Sequence, residues 1–324
     1  MKVVGNCSEE MLAMLKEAGI EADTKEIPLF DTKEIIEKVR GYDCWINFGH
    51  ICPKNVIEEL SGSLKMICRC GIGYDQIDIN TATEKGICVT NTAGSMNESV
   101  GETAILLILE LMRKFYLYNR CLLQGTWSRN IPANGLKYKT VGFVGFGGIG
   151  QSCADFLKGF QCRILVYDKY VKEEVLQRYG AESVELHTLA SNADVVTIHC
   201  PLTDETKGLI NMTFFQQMKR TAYIVNTARG LVINAQDLIA ALRQGIIAGA
   251  GLDVFEKEPI AADNPLLHME NVIALPHIGS HTVESQQLTQ CLAVENIRQF
   301  LDGQVPLNCL NLDYQKNMEW RKER

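Results

Sequence analysis

The chain has 324 residues, a formal net charge of −7 and 46% hydrophobic content, which suits a globular protein of two domains. An acidic balance without clustered cations excludes a nucleic-acid or anionic-membrane partner, because both need dense positive charge; Lys137 and Lys139 are isolated. The opening MKVVGNCSEE lacks the apolar stretch of a signal peptide, and the apolar run near Ala104–Leu109 is far too short to span a membrane, so a cytoplasmic protein is expected.

Short β-like runs alternate with helical patterns over the first hundred residues. KVVGN, Tyr42–Gly49, Leu64–Cys70 and Gly86–Thr90 read as strands. Ser8–Ala18, with Ser8 as N-cap, and Lys54–Leu60, after Pro53, read as helices. A long amphipathic helix over Ser99–Arg120 would place Ala104, Leu107, Ile108, Leu111 and Phe115 on one face, followed by GTWSRN as a surface loop. A second series starts at Lys139. Its strands are TVGFVGF, Cys162–Asp168, Ala193–Cys200, Thr221–Thr227, Ile247–Val254 and Asn271–Leu275. Its helices include Ile149–Phe160 and Ala235–Gln244, and Val283–Asp302 ends at Gly303, a good C-cap. Such alternation predicts parallel sheets covered on both faces. The closing NMEWRKER is polar and is expected to fray.

The twelve cysteines contain no CxxC pair; the nearest two, Cys68 and Cys70, are separated by Arg69. Most sit inside apolar runs, which predicts reduced, buried thiols and no metal site.

Gly145, Gly147 and Gly150 in TVGFVGFGGIG fit G-x-G-x-x-G, between a buried-strand pattern and a helical one. The first glycine allows the tight turn, the second lets the backbone approach a pyrophosphate, and the third lets helix and strand pack closely. The helix N-terminus then faces the phosphates with unpaired N–H groups. The next strand ends in Asp168, near the customary spacing of about 20 residues, where a carboxylate accepts both ribose hydroxyls of NAD and repels the extra phosphate of NADP. Lys169 beside it would soften that repulsion. The run is therefore read as a dinucleotide site for NAD rather than NADP.

Arg229, Glu258 and His277 each follow an apolar strand, and ligands of open parallel sheets bind beyond the carboxyl ends of strands. Arg229 can clamp a carboxylate and polarise a carbonyl. His277 can move a proton near neutral pH. Glu258, bonded to the other ring nitrogen, would fix its tautomer.

These pieces resemble the D-isomer-specific 2-hydroxyacid dehydrogenases, which include phosphoglycerate, glycerate/hydroxypyruvate and glyoxylate reductases. The resemblance rests on CGIGYDQID, VGFVGFGGIG, HCPLTDETKGLIN, NTARG, GLDVFEKEP and PHIGSH. It implies an α/β fold of two Rossmann-like, doubly wound, mainly parallel domains with the active site in the cleft between them. The discontinuous, flavodoxin-like substrate domain would comprise residues 1–100 plus 290–324, and the NAD-binding domain residues 101–289. By the same resemblance Arg229, Glu258 and His277 are the catalytic three, and N–H groups of Gly71, Ile72 and Gly73 hold the substrate carboxylate. Ile72, Gly145, Gly147, Gly148, Ile149, Gly150, Asp168, Cys200, Pro201, Thr227, Ala228, Asp253, Gly279 and Ser280 would line the cofactor. The implied activity is NAD-dependent interconversion of a small D-2-hydroxy acid and its 2-keto acid, by a homodimer. Gly148 departs from the family, which often carries a basic residue there, and Cys70 is unusual beside the carboxylate loop. D-3-phosphoglycerate is an alternative substrate, for which Arg69 and Lys65 are the cations nearest the loop in sequence. A corepressor-like NAD(H)-sensing protein is the alternative of another class.

Overall fold

A computed structural model describes residues 1–318. The chain forms two compact units: Met1–Met96 together with the segment from Thr282 onward, and Asn97–His281. The boundaries expected near residues 100 and 290 lie inside the helices Asn97–Arg113 and Val283–Leu301; the observed divisions fall just before each helix, which goes whole with one unit.

The first unit holds five parallel strands: β1 (Val3–Gly5), β2 (Ala22–Thr24), β3 (Cys44–Asn47), β4 (Met66–Arg69) and β5 (Cys88–Thr90), in the order β2-β1-β3-β4-β5. This is the flavodoxin-like order. Side-chain alternation along β3 sends Cys44 and Ile46 to one face and Trp45 to the other. The first face packs on Met11 and Leu15 of the helix Glu9–Glu17 and on Ala293, Ile297 and Phe300 of the helix Val283–Leu301. The second packs on Ile35, Val39, Val56, Ile57 and Leu60. Each such fully buried aliphatic side chain contributes about 1.5–3 kcal/mol, which is why strands this short persist. As expected, Ser8 caps its helix, accepting from Met11 N at 3.2 Å.

The second unit holds seven parallel strands: β6 (Thr140–Val144), β7 (Arg163–Tyr167), β8 (Glu182–Ser183), β9 (Val195–Ile198), β10 (Tyr223–Asn226), β11 (Gly249–Leu252) and β12 (Val272–Ala274). Their order is β12-β11-β10-β9-β6-β7-β8, the doubly wound dinucleotide-binding arrangement with one further strand. The chain reverses direction across the sheet between β6 and β9, so the topological switch point lies beyond those two strands.

Three expectations need correction. The helix read over Ser99–Arg120 is two helices, Asn97–Arg113 and Phe115–Leu123, broken at Lys114, whose φ of 53° is left-handed. Phe115 is therefore 60% exposed instead of lying on the buried face with Leu107 and Leu111. The edge strands β2 and β8 escaped the sequence reading. In the tail, Asn317 and Met318 are held: Asn317 Nδ2 donates to Thr83 O at 3.0 Å, and Met318 is buried. Glu319–Arg324, the rest of the segment expected to fray, lie outside the described residues.

Candidate active site

The strands of the second unit are parallel, so the segments leaving β6, β7, β9, β10, β11 and β12 emerge at one edge of its sheet. Gly145 directly follows β6 with φ +90°, and a Cβ there would stand 2.6 Å from Cys200 N. The turn thus presses against the chain leaving β9 at the switch point. Gly147 caps the helix Gly148–Leu157, and a Cβ on it would meet nothing within 4 Å, which leaves open the space a pyrophosphate needs. A Cβ on Gly150 would lie 2.9 Å from Gly145 O, as expected of the glycine that lets helix and strand close up.

Gly148 has a different setting. A Cβ on it would lie 2.4 Å from Nδ2 of Asn97, the first residue of the neighbouring helix, whose side chain would have to turn aside for any larger residue at 148. One turn further along, Gly101 meets Cys153 N at 3.1 Å from its virtual Cβ. The two helices lie side by side at van der Waals distance.

Asp168 follows β7. Its Oδ2 accepts from Phe146 N at 2.7 Å, and its Oδ1 from Tyr170 N at 2.8 Å and Val171 N at 3.1 Å. The carboxylate is thereby tied to the glycine turn itself. Lys169 pairs with Glu205 at 2.6 Å, so its charge is directed away from Asp168. Thr227, after β10, has a buried hydroxyl with no hydrogen-bond partner among the described residues, and so does Nδ1 of His199 before Cys200. Buried polar atoms left unsatisfied cost about 1–3 kcal/mol each. Those orphans, with the open cradle at Gly147, fit a dinucleotide.

The catalytic candidates collect on three neighbouring strands. His277 Nδ1 and Glu258 Oε2 are 2.6 Å apart, and Glu258 Oε1 accepts from Phe255 N at 2.9 Å. Burial pushes the Glu258 carboxyl up, but the hydrogen bonds from His277 and Phe255 and the charges of His277 and Arg229 outweigh it, leaving it below the usual range. Arg229 is held by its own turn: Nη1 donates to Ala228 O at 2.7 Å, and Asn226 Nδ2 donates to Arg229 O at 2.9 Å.

Asp253 sits 1% exposed at the end of β11 and accepts from Ile278 N and Gly279 N, both at 2.8 Å. These two bonds fix the turn in which His277 holds φ +56°. A Cβ on Gly279 would lie 2.8 Å from Asp253 Oδ2, so only glycine fits. Thr103 Oγ1 secures the same residue by donating to Gly279 O at 3.1 Å. Two supports went unrecognised in the sequence: Asn226, a fully buried amide closing an apolar strand, and Gly230, whose virtual Cβ overlaps Phe255 C at 1.9 Å.

In the first unit, Gly71 has φ +142° and its N–H donates to Thr92 Oγ1 at 2.9 Å. Asn91 Nδ2 donates to Ile72 O at 2.9 Å and Arg69 Nε to Gly73 O at 3.0 Å. The loop's carbonyls are pinned from behind. Lys65 pairs with Asp43.

Known proteins decide the family. Residues 105–279 match the family model for the D-isomer specific 2-hydroxyacid dehydrogenase, NAD binding domain. The chain is 38% identical to the glyoxylate reductase of Korarchaeum cryptofilum over 88% of its own length and 87% of that protein's. This chain belongs to the D-isomer-specific 2-hydroxyacid dehydrogenases. It is accordingly a D-2-hydroxyacid dehydrogenase with NAD as its cofactor. The dehydrogenase is also 35% identical to the D-3-phosphoglycerate dehydrogenase of Archaeoglobus fulgidus, covering 94% of this chain and 58% of that longer protein. Its fold superposes on the D-lactate dehydrogenase of Aquifex aeolicus, solved with NAD and lactic acid, with a TM-score of 0.84, 26% identity and coverage of 96% and 99% of the two chains. Among the described residues, no helix is long and apolar enough to cross a membrane.

NAD selectivity in this dehydrogenase is expected to reside in Asp168. Asp168→Ser removes the charge that repels a 2′-phosphate, so the ratio of kcat/KM for NADH to that for NADPH should fall by at least about tenfold, equivalent to ~1.4 kcal/mol. Steady-state rates with both cofactors check this, and an unchanged ratio would place the discrimination elsewhere.

Proposed function

We propose that the dehydrogenase reduces a small, unphosphorylated 2-keto acid such as glyoxylate or hydroxypyruvate to its 2-hydroxy acid, of D configuration where the product is chiral, with Arg229, Glu258 and His277 as catalytic residues. The observation that carries this reading is the 2.6 Å contact of His277 Nδ1 with Glu258 Oε2. A carboxylate on Nδ1 holds that nitrogen protonated and presents Nε2 to the substrate oxygen. His277 Nε2 then delivers the proton to the carbonyl oxygen during reduction and takes it back during oxidation. Arg229 clamps the substrate carboxylate or polarises the carbonyl. Bound NADH supplies the hydride.

Around the cofactor, Gly145, Gly147, Gly148, Ile149 and Gly150 cradle the pyrophosphate and Asp168 takes the adenosine ribose. Cys200 and Pro201 line the adenosine side. Thr227, Ala228, Asp253, Gly279, Ser280 and Ile72 serve the nicotinamide half, Asp253 through the turn it holds. Gly71 N–H already bonds Thr92, so the substrate carboxylate falls to the N–H groups of Ile72 and Gly73. An unphosphorylated substrate is favoured because the two cations near this loop in sequence are engaged, Arg69 by Gly73 O and Lys65 by Asp43.

The test is NADH oxidation with a panel of 2-keto acids. Turnover should be fastest with glyoxylate or hydroxypyruvate; a clear preference for phosphohydroxypyruvate overturns the substrate assignment, and no turnover across the panel overturns the activity. The pH profile carries a second expectation. Because the Glu258 carboxyl is depressed, its pairing with His277 is intact above the ordinary carboxylate range and is lost as pH falls through its lowered value. kcat/KM should therefore hold down to mildly acid pH and fall below it. Glu258→Gln should lower the plateau and change the shape of the acid limb, whereas an identical profile would remove Glu258 from the mechanism.

A homodimer is part of the same proposal. The helix Phe115–Leu123 buries none of its residues; Leu122 is 57% exposed, and Leu123 and Trp127 are each 80% exposed. An apolar strip of this kind is what an interface between copies covers. The double substitution Leu123→Glu/Trp127→Glu should shift sedimentation from dimer to monomer. A cytoplasmic location goes with this reading, and twelve free thiols accord with a reducing compartment.

A further inference from the structure

Cys88 lies fully buried in β5, the edge strand of the first unit. The segment Asn308–Asn311 runs antiparallel beside it. Thr90 bridges Cys309, Leu310 N donates to Val89 O at 2.8 Å and Asn91 N donates to Asn308 O at 3.2 Å. Asn311 closes the pairing, its Oδ1 accepting from Val89 N at 2.8 Å and its Nδ2 donating to Ile87 O at 2.9 Å. This pairing brings the sulfurs of Cys88 and Cys309 to 3.9 Å, van der Waals contact, across 221 residues of chain.

We propose that Cys88 and Cys309 are a reversible redox pair, oxidised by a peroxide or a small disulfide to a bond that staples the C-terminal segment to β5. With hydrogen peroxide, the sulfur of Cys309 is oxidised to a sulfenic acid and one water is released. The Cys88 sulfur then attacks it, its proton leaving with the expelled hydroxide as a second water. Two thiols and one peroxide give one disulfide and two waters, and a dithiol reductant reverses the step.

The order of attack follows from the surroundings. Cys309 is only half-buried, so an oxidant reaches it, whereas Cys88 is sealed beneath it. The contact with Cys88 brings the Cys309 thiol down to about 7 against its burial, with a further contribution from the backbone of Asn311. A substantial thiolate fraction at neutral pH is the reactive form. Cys88 is pushed in the opposite direction by the same contact and by burial, as suits the resolving partner. The Cys68 and Cys70 pair, separated only by Arg69, is a poorer candidate: both are buried, and Cys68 already donates to Ala293 O at 3.6 Å.

Closing the gap moves Asn308, whose carbonyl receives Asn91 N, and Asn91 in turn holds Ile72 O at 2.9 Å. Oxidation therefore acts on the loop to which the proposed substrate role of Ile72 belongs, and this coupling rests on that role. The experiment exposes the native protein to hydrogen peroxide, blocks remaining thiols by alkylation and maps peptides without reduction. A Cys88–Cys309 crosslink is expected, reversed by dithiothreitol and absent in Cys309→Ser. KM for glyoxylate should change severalfold on oxidation of the wild type but not of Cys309→Ser, with the dissociation constant of NADH unchanged in both. Failure to find the crosslink, or pairing of other cysteines, overturns the site. A crosslink with unaltered KM overturns the coupling. The peptide map stands whether or not the protein turns over glyoxylate, so the two readings fail separately.

Discussion

Replacing His277 with alanine is expected to lower kcat by about 10²–10⁴-fold, the customary worth of a positioned general acid, while NADH binds as before. The separation of effects is what the geometry demands. His277 is half exposed, and among the described residues its ring makes one polar contact, to Glu258. Its backbone is held independently, because Asp253 takes the N–H groups of Ile278 and Gly279. Removing the imidazole therefore leaves the turn in place and takes away only the proposed proton carrier. His277 holds a left-handed φ, which alanine tolerates less readily than histidine, so a small loss of stability accompanies the loss of rate. Rates in single turnover, with NADH affinity measured by fluorescence, decide the matter. A variant that keeps most of its activity removes His277 as the proton donor.

The second large effect is expected from Gly230→Ala, a change of one methyl outside the proposed catalytic three. The added carbon would stand 1.9 Å from Phe255 C, 2.1 Å from Phe255 O and 2.5 Å from Glu256 N, all backbone atoms that cannot rotate away. Overpacking of this order costs about 1–3 kcal/mol. The turn can relieve it by moving, since Phe255, Glu256 and Lys257 line a cavity of about 570 Å³ that also borders Gly230. A shifted turn carries Glu258 out of reach of His277 and disturbs Arg229, the residue just before the new methyl. Turnover should thus fall about 100-fold or more, approaching the loss at His277, with only a modest drop in melting temperature. Gly159→Ala is the control, because a Cβ there meets nothing within 4 Å. Unaltered kcat in Gly230→Ala would show that the close approach of the two turns does not position Glu258.

Most of the fold is legible in the amino-acid order because its strands are buried on both faces and announce themselves as unbroken apolar runs. VGFVGF and ADVVTIHC could be little else. The exceptions are instructive. Ala22–Thr24 and Glu182–Ser183 are edge strands of three and two residues, largely exposed, and nothing in ADT or ES marks a strand. The break at Lys114 has no local signal either, since the left-handed position is taken by lysine and not by glycine or asparagine. At the site, the residue types of Arg229, Glu258 and His277 suggested their chemistry, and their pairing needed coordinates only for the distance. Their supports were hidden for a different reason. Asp253, named only for the cofactor, and Gly230 meet backbone groups of other segments, and Asn97 approaches Gly148 from fifty residues upstream. Such partners are set by tertiary packing, which no local pattern encodes. The contact of Cys88 with Cys309 belongs to the same class.

The chain path has a consequence for biosynthesis. Residues 97–281 form one compact body from a continuous stretch, inserted into another whose core needs Ala293, Ile297, Phe300 and Tyr314 from beyond the insertion. As the polypeptide leaves the ribosome, the nucleotide-binding body is complete first, while the amino-terminal ninety-six residues must wait, one face of their sheet covered only by the helix Glu9–Glu17, for the last helix to arrive. Translation thus reverses the usual order in which the earliest-made domain folds first, and the interval before release is when this protein depends most on protection from aggregation.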